Sequence, residues 1–166
     1  TITITNCYEN AVTIDIPAEI NGMPVTAINS SAFANRTYLQ SVTIPASVTS
    51  IGTDAFNGCT ALSEIAIPDG VASIANSAFY GCTSLERVTI PASVTSIDNY
   101  AFYGCSSLTE VYYAGTEEQW AAVSKGYSND PLINAAIYYN ATKPEPEPTP
   151  LPVTTAEITK TDTETG

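Results

Sequence analysis

Histidine is absent from the 166 residues, and its absence removes Ser-His-Asp and Cys-His nucleophilic systems, His-ligated metal sites and the usual general base. Positive charge is scarce as well. Five Lys plus Arg stand against 17 Asp plus Glu, a formal charge of -12 that repels phosphate backbones and anionic lipid and argues against a nucleic-acid partner. No run approaches the roughly 18 to 20 apolar residues that span a bilayer, and the chain opens with neither a basic n-region nor an apolar h-region. No membrane insertion is expected, and the chain reads as a mature segment. Charged residues make up only 13% and hydrophobic residues 44%, which excludes a wholly disordered chain and suits one globular domain.

What is present is periodicity. TIPASVTSI occurs at 43–51 and again at 89–97, with the diverged AIPDGVASI at 66–74 between them, a period of 23 residues. Cutting at each Val gives four units, 25–47, 48–70, 71–93 and 94–116, with no insertion. All four Phe of the protein (Phe33, Phe56, Phe79, Phe102) fall in one register, each preceded by Ala. Val25, Val48, Val71 and Val94 form a second apolar column, Ile28, Ile51, Ile74 and Ile97 a third, and Leu39, Leu62, Leu85 and Leu108 a fourth. One coil cannot bury such columns alone, whereas stacked coils make a continuous core, as in a solenoid. The β-branched triplets VTI, IAI and VTI, each followed by Pro at 45, 68 and 91, predict short strands stacked in parallel. Gly58, Gly81 and Gly104 share a column that Asn35 fills in the first unit, which predicts a turn at positive φ. The SxxAFxGC segment before it predicts a helical or 3₁₀ turn that carries Phe inward.

The pattern LxxVTIPxSVTSIGxxAFxGCTxL resembles the BspA-like class of bacterial leucine-rich repeats, strongly over residues 25–116. The resemblance implies a curved leucine-rich-repeat solenoid of short parallel strands, on a secreted or surface-attached bacterial protein that is often an adhesin. It implies no catalytic residues. The first unit departs from the pattern, with Arg36 in the Cys column and a five-residue insertion between Pro17 and Val25.

Beyond the repeats, residues 1–24 predict an N-terminal cap of one or two strands followed by an Asn21-Gly22-Pro24 turn. Residues 117–140 predict a C-terminal cap: a short helix opened by a Thr116/Gln119 capping box, with Gly126 as its C′ residue and Lys125 near its negative end, then a closing strand in AAIYYN. Trp120 is expected over the last open coil. Residues 141–166, with Pro at alternate positions from 144 to 152, read as a semi-rigid linker and tail.

Candidate sites follow from the same columns. Cys59, Cys82 and Cys105 stack across coils and read as buried thiols; a single row cannot supply tetrahedral metal ligands, and Cys7 is left over. No metal or cofactor site is expected. Glu64, Arg87 and Glu110 share a column and predict an ion-pair ladder that sets register more than stability. Asp54, Asp69 and Asp98 occupy different columns, which disfavours a paired-carboxylate hydrolase. Two surfaces remain as candidates for a ligand. Thr43, Ala66, Thr89 and Tyr112 form the outward column of the strand sheet, and Tyr80, Tyr103 and Tyr100 form an outward aromatic row. The sequence therefore predicts a non-catalytic, extracellular or cell-surface module that binds a protein over the sheet. The alternatives are a carbohydrate-binding module that stacks sugars on the tyrosine row, or a spacer for an adjacent domain. Exposed end coils or the tail would permit an oligomer.

Overall fold

The β-branched triplets do form strands, and Pro45, Pro68 and Pro91, which have no N–H for a ladder, follow them. The computed structural model describes residues 1–6 and 10–141, so Cys7 and the proline-rich linker and tail from residue 142 onward lie outside the described residues. At the N-terminal end lie β1 (Ile2–Ile4), β2 (Thr13–Asp15), β3 (Glu19–Ile20) and β4 (Met23–Ile28). The repeats supply β5 (Ser41–Thr43), β6 (Ser50–Ile51), β7 (Glu64–Ala66), β8 (Ser73–Ile74), β9 (Arg87–Ile90), β10 (Ser96–Ile97) and β11 (Glu110–Tyr113). After them come α1 (Glu117–Ala122), β12 (Ser124–Lys125), α2 (Asp130–Asn134) and β13 (Ala136–Tyr139).

These strands stack as the expected solenoid, which makes about six turns. On one side β7, β9, β11 and β13 form one parallel ladder in strict register and β2 pairs with β5. On the other, β1, β4 and β6 form one parallel group and β8, β10 and β12 another. The segments flanking the repeats each add a strand to both sides, so they continue the coil instead of merely covering it. The insertion before Val25 is the antiparallel hairpin of β3 and β4. Its turn residues Asn21 and Gly22 both have positive φ, 52° and 74°, as a two-residue hairpin loop requires.

The expected helical turn before each Gly is not a helix. Ala55, Asn57 and Cys59 donate to carbonyls three residues back, but Asp54, Phe56 and Gly58 donate to Asn76, Ala78 and Tyr80 of the next coil. Residues in the left-handed region cause the alternation. Asn35, Gly58, Gly81 and Gly104 lie at φ 59° to 75°, as predicted, and a second column, Ser31, Asp54, Ser77 and Tyr100, lies at φ 53° to 60°. A helix would keep these amides for its own carbonyls; here every second N–H serves the neighbouring coil.

The core is the predicted set of columns. Phe33, Phe56, Phe79 and Phe102 are buried and stack ring on ring, with centroids 4.9, 5.4 and 5.2 Å apart. At the C-terminal end the capping box of α1 is present: Gln119 N–H donates to Thr116 Oγ1 and Thr116 N–H to Gln119 Oε1. Trp120 is buried against Tyr113. Lys125 Nζ donates to the carbonyls of Trp120 at 2.6 Å and Val123 at 3.0 Å, satisfying the helix end, and lies 4.4 Å from the indole centroid. Gly126, however, is not the C′ residue, because the helix stops at Val123 in extended conformation and β12 follows directly. Gly126 instead allows a close approach: a Cβ there would stand 2.6 Å from the Asn99 nitrogen.

Candidate functional site

Parallel register fixes what the sheet shows to solvent. Val88, Val111 and Ile65 point inward at matching positions, so the residues on either side of them point outward in two rows. One row runs Ala66, Thr89, Tyr112 and Tyr138, with Thr43 ahead of it on β5; the other runs Glu64, Arg87, Glu110 and Ala136. Thr43, Ala66, Thr89 and Tyr112 thus do lie together, and with Glu64 and Arg87 they line a shallow trough of about 160 Å³. Small side chains make its floor. Tyr112 closes one end, its far face covered by Tyr138 at 5.0 Å and 15°.

Glu110 organises this end. Its Oε2 accepts from Arg87 Nε at 2.8 Å and from the Tyr112 hydroxyl at 3.1 Å, so one carboxylate oxygen fixes both neighbours. Burial, followed by the hydrogen bond to Glu110, raises the Tyr112 phenol above its ordinary value; the hydrogen bond and charge of Glu110 raise the Arg87 guanidinium. The predicted charged column is therefore present in register, with Arg87 between Glu64 and Glu110 and an ion pair to Glu110.

The tyrosine row stands on the turn segments. Tyr80 and Tyr103 stack at 5.1 Å and 25°, and Tyr100 meets Tyr103 edge-on at 5.9 Å. A fourth ring, Tyr127, meets Tyr100 at 5.4 Å and 88°; it is 65% exposed. Tyr127 was hidden from the repeat pattern because it follows α1, outside any 23-residue register. Stacking turns one face of Tyr80 and one of Tyr103 toward each other, so neither of those two faces is open to a sugar. Of the other cap aromatics, Tyr113 and Trp120 are buried and Tyr139 packs against the core.

Cys59, Cys82 and Cys105 are buried thiols that donate to the carbonyls of Phe33, Phe56 and Phe79 at 3.1 to 3.2 Å. Burial pushes the Cys105 thiol up to about 12 and Cys82 higher still, so neither supplies a thiolate at neutral pH. Asp54 accepts from Asn57 Nδ2 within its own turn at 2.7 Å, and Asp69 and Asp98 are exposed on separate columns. Among the described residues no group of three or more acidic, Cys or His side chains is placed to hold a metal ion. No helix of the described residues is long and apolar enough to cross a membrane.

Comparison with known proteins matches residues 26–121 to the BspA-type leucine-rich repeat region, in six copies. Similar solved structures include a leucine-rich cell surface protein of Faecalibacterium prausnitzii A2-165, at 34% identity and a TM-score of 0.56 over 74% of this chain and 38% of that one. They also include a leucine-rich repeat protein of Bacteroides capillosus, at 35% identity and a TM-score of 0.60 over 67% of this chain and 85% of that one. A leucine-rich repeat protein of T. pallidum is 26% identical with a TM-score of 0.65, over 80% and 71% of the two chains. No curated protein matches the chain. The chain spans little more than a third of the Faecalibacterium protein's length. Phased apolar columns, a six-turn solenoid and the matched repeats agree: the chain belongs to the BspA-type leucine-rich repeat family.

Proposed function

We propose that this chain is a non-catalytic binding module of a protein displayed at the cell surface, and that it takes a protein partner on the sheet face. The observation that carries this reading is the trough itself. Thr43, Ala66, Thr89 and Tyr112 line one depression, floored by small side chains and walled by an aromatic ring that Glu110 and Tyr138 hold in place. Rigid aromatic anchors beside a small-residue floor are what a partner's side chains seat against. Surface display is supported by the description of the Faecalibacterium protein as a cell surface protein, at 34% identity. The test is an array of extracellular-matrix proteins and glycans probed with the full chain. A saturable protein hit weakened roughly thirtyfold by Tyr112→Ala supports the assignment. Hits confined to glycans, and lost with Tyr103→Ala, overturn it in favour of the tyrosine row.

A further inference from the structure

The sheet face is not electrically neutral, and its sign restricts what it can receive. On the two outward rows, and on Asp15, which pairs with Thr43 in the same register, three carboxylates (Asp15, Glu64, Glu110) face one guanidinium, Arg87. That guanidinium is already paired with Glu110 at 2.8 Å. The rest of the chain reinforces the sign, with a formal charge of -12. Lys125, the other described cation of the C-terminal half, is turned into the cap by its bonds to Trp120 and Val123 and does not reach this face.

The aromatic wall has a matching polarity. Tyr138 covers one face of the Tyr112 ring, so the other is turned toward Thr89 and the trough. A ring face is the negative pole of the aromatic quadrupole, and a cation placed over it is attracted. The Tyr112 hydroxyl is committed to Glu110, which keeps the ring from rotating away. The floor is too shallow, at about 160 Å³, for a folded element, but it has the size of one extended side chain. A Lys or Arg fits such a place: its methylenes lie along Ala66 and Thr89 while its charge meets the ring and the Glu64 carboxylate, the lining Arg87 being paired with Glu110.

We infer that the trough on the sheet face recognises a basic segment of a protein partner, with a Lys or Arg side chain seated between Ala66, Thr89 and the open face of Tyr112. This inference rests on the proposed sheet-face reading and adds the chemistry of the partner. Acidic segments are disfavoured by the same carboxylates that attract a cation, since like charges across an interface repel.

The test uses the full chain and a display library of random dodecapeptides, selected in parallel on wild type and on two variants that fill the trough without changing charge, Ala66→Trp and Thr43→Trp. The expected result is recovery of peptides enriched in Lys or Arg that bind wild type and lose binding to at least one filled variant. For a recovered peptide, Tyr112→Leu weakens binding roughly three- to thirtyfold, the span of one cation–π contact. Glu64→Gln weakens it too, and added salt lowers the affinity of wild type more than that of Glu64→Gln. Peptides that lose binding to the filled variants but carry no basic enrichment overturn this inference and leave the sheet-face reading standing. Peptides indifferent to Ala66→Trp and Thr43→Trp, or no recovered peptides at all, overturn the inference as well. Circular dichroism of both variants, matched to wild type, ties the loss to the trough and not to the fold.

Discussion

Asn129, in the coil that follows the last repeat, takes the place of a backbone carbonyl: its Oδ1 accepts the Phe102 amide at 3.0 Å, as Ala101 O does for Phe79. In the preceding coils Phe33, Phe56 and Phe79 each donate to an alanine carbonyl of the next coil. For Phe102 the coil that follows offers a side chain in place of that carbonyl. Asn129 is 1% exposed, and its Nδ2 closes the arrangement on Asp98 O and Gly126 O.

Removing that side chain strands buried groups. Asn129→Leu is expected to lower unfolding free energy by about 1 to 3 kcal/mol, the cost of leaving a buried amide unsatisfied. Asn129→Asp keeps the acceptor but buries a carboxylate against the Asp98 and Gly126 carbonyls, so it should cost at least as much. Urea denaturation of the three proteins checks the order.

The glycine column makes a separate prediction, because Gly81 has no atom within 4 Å of where a Cβ would sit, yet lies at φ 69°. Any penalty for a side chain there is one of backbone conformation alone. Gly81→Ala should destabilise by about 1 to 2 kcal/mol, and Gly81→Asn by less, since Asn tolerates the left-handed region. Asn35, at φ 59° in the first coil, already shows the substitution in place. Thermal melts of both variants distinguish this from a packing effect, which would rank the larger Asn as the worse.

Much of the architecture is readable from the repeat itself. The Phe, Val, Ile and Leu columns mark buried positions because each coil must bury the same face, and the Pro after each triplet marks a strand end. What is not readable lies where the register breaks. The hairpin insertion at Glu19–Ile28 displaces β2 from the 23-residue spacing, and the sequence of β13 lacks the flanking Pro and SVTS, so neither flank announces itself as a further coil. Ser31, Asp54, Ser77 and Tyr100 carry no glycine to signal positive φ; only the hydrogen bonds to the next coil demand it. On the sheet face the outward column is legible from alternation alone, while Tyr138 and Tyr127 join their rows only through folding of the C-terminal segment.

The thiol row predicts a pattern of chemical protection. Burial raises Cys82 and Cys105 and keeps them as thiols, the form that does not attack alkylating reagents. Peptide mapping after iodoacetamide treatment should find both unmodified in native protein at pH 8 and modified in 6 M guanidinium. Labelling of either in native protein at a rate matching free cysteine would contradict the stacked core.

Tyrosine titration offers a pH test with a defined sign. Tyr112 and Tyr113 have raised phenol values, burial being the first cause of both. A folded value above the unfolded one means that their contribution to stability is complete below about pH 10, the ordinary phenol value, and is lost as pH rises through the folded values. Ultraviolet titration should therefore show a late phenolate component that shrinks in Tyr112→Phe and in Tyr113→Phe, with unfolding onset moving toward higher pH in the latter.

Site-specific photo-crosslinking reports which face of the solenoid meets the partner. A benzophenone side chain placed at Thr89 in one variant and at Tyr103 in another, each irradiated with a protein partner recovered from the matrix array, reports the contact surface. The expected result is a covalent adduct from position 89, abolished by Ala66→Trp, and none from position 103. An adduct from position 103 alone would contradict it and move the binding surface to the tyrosine row.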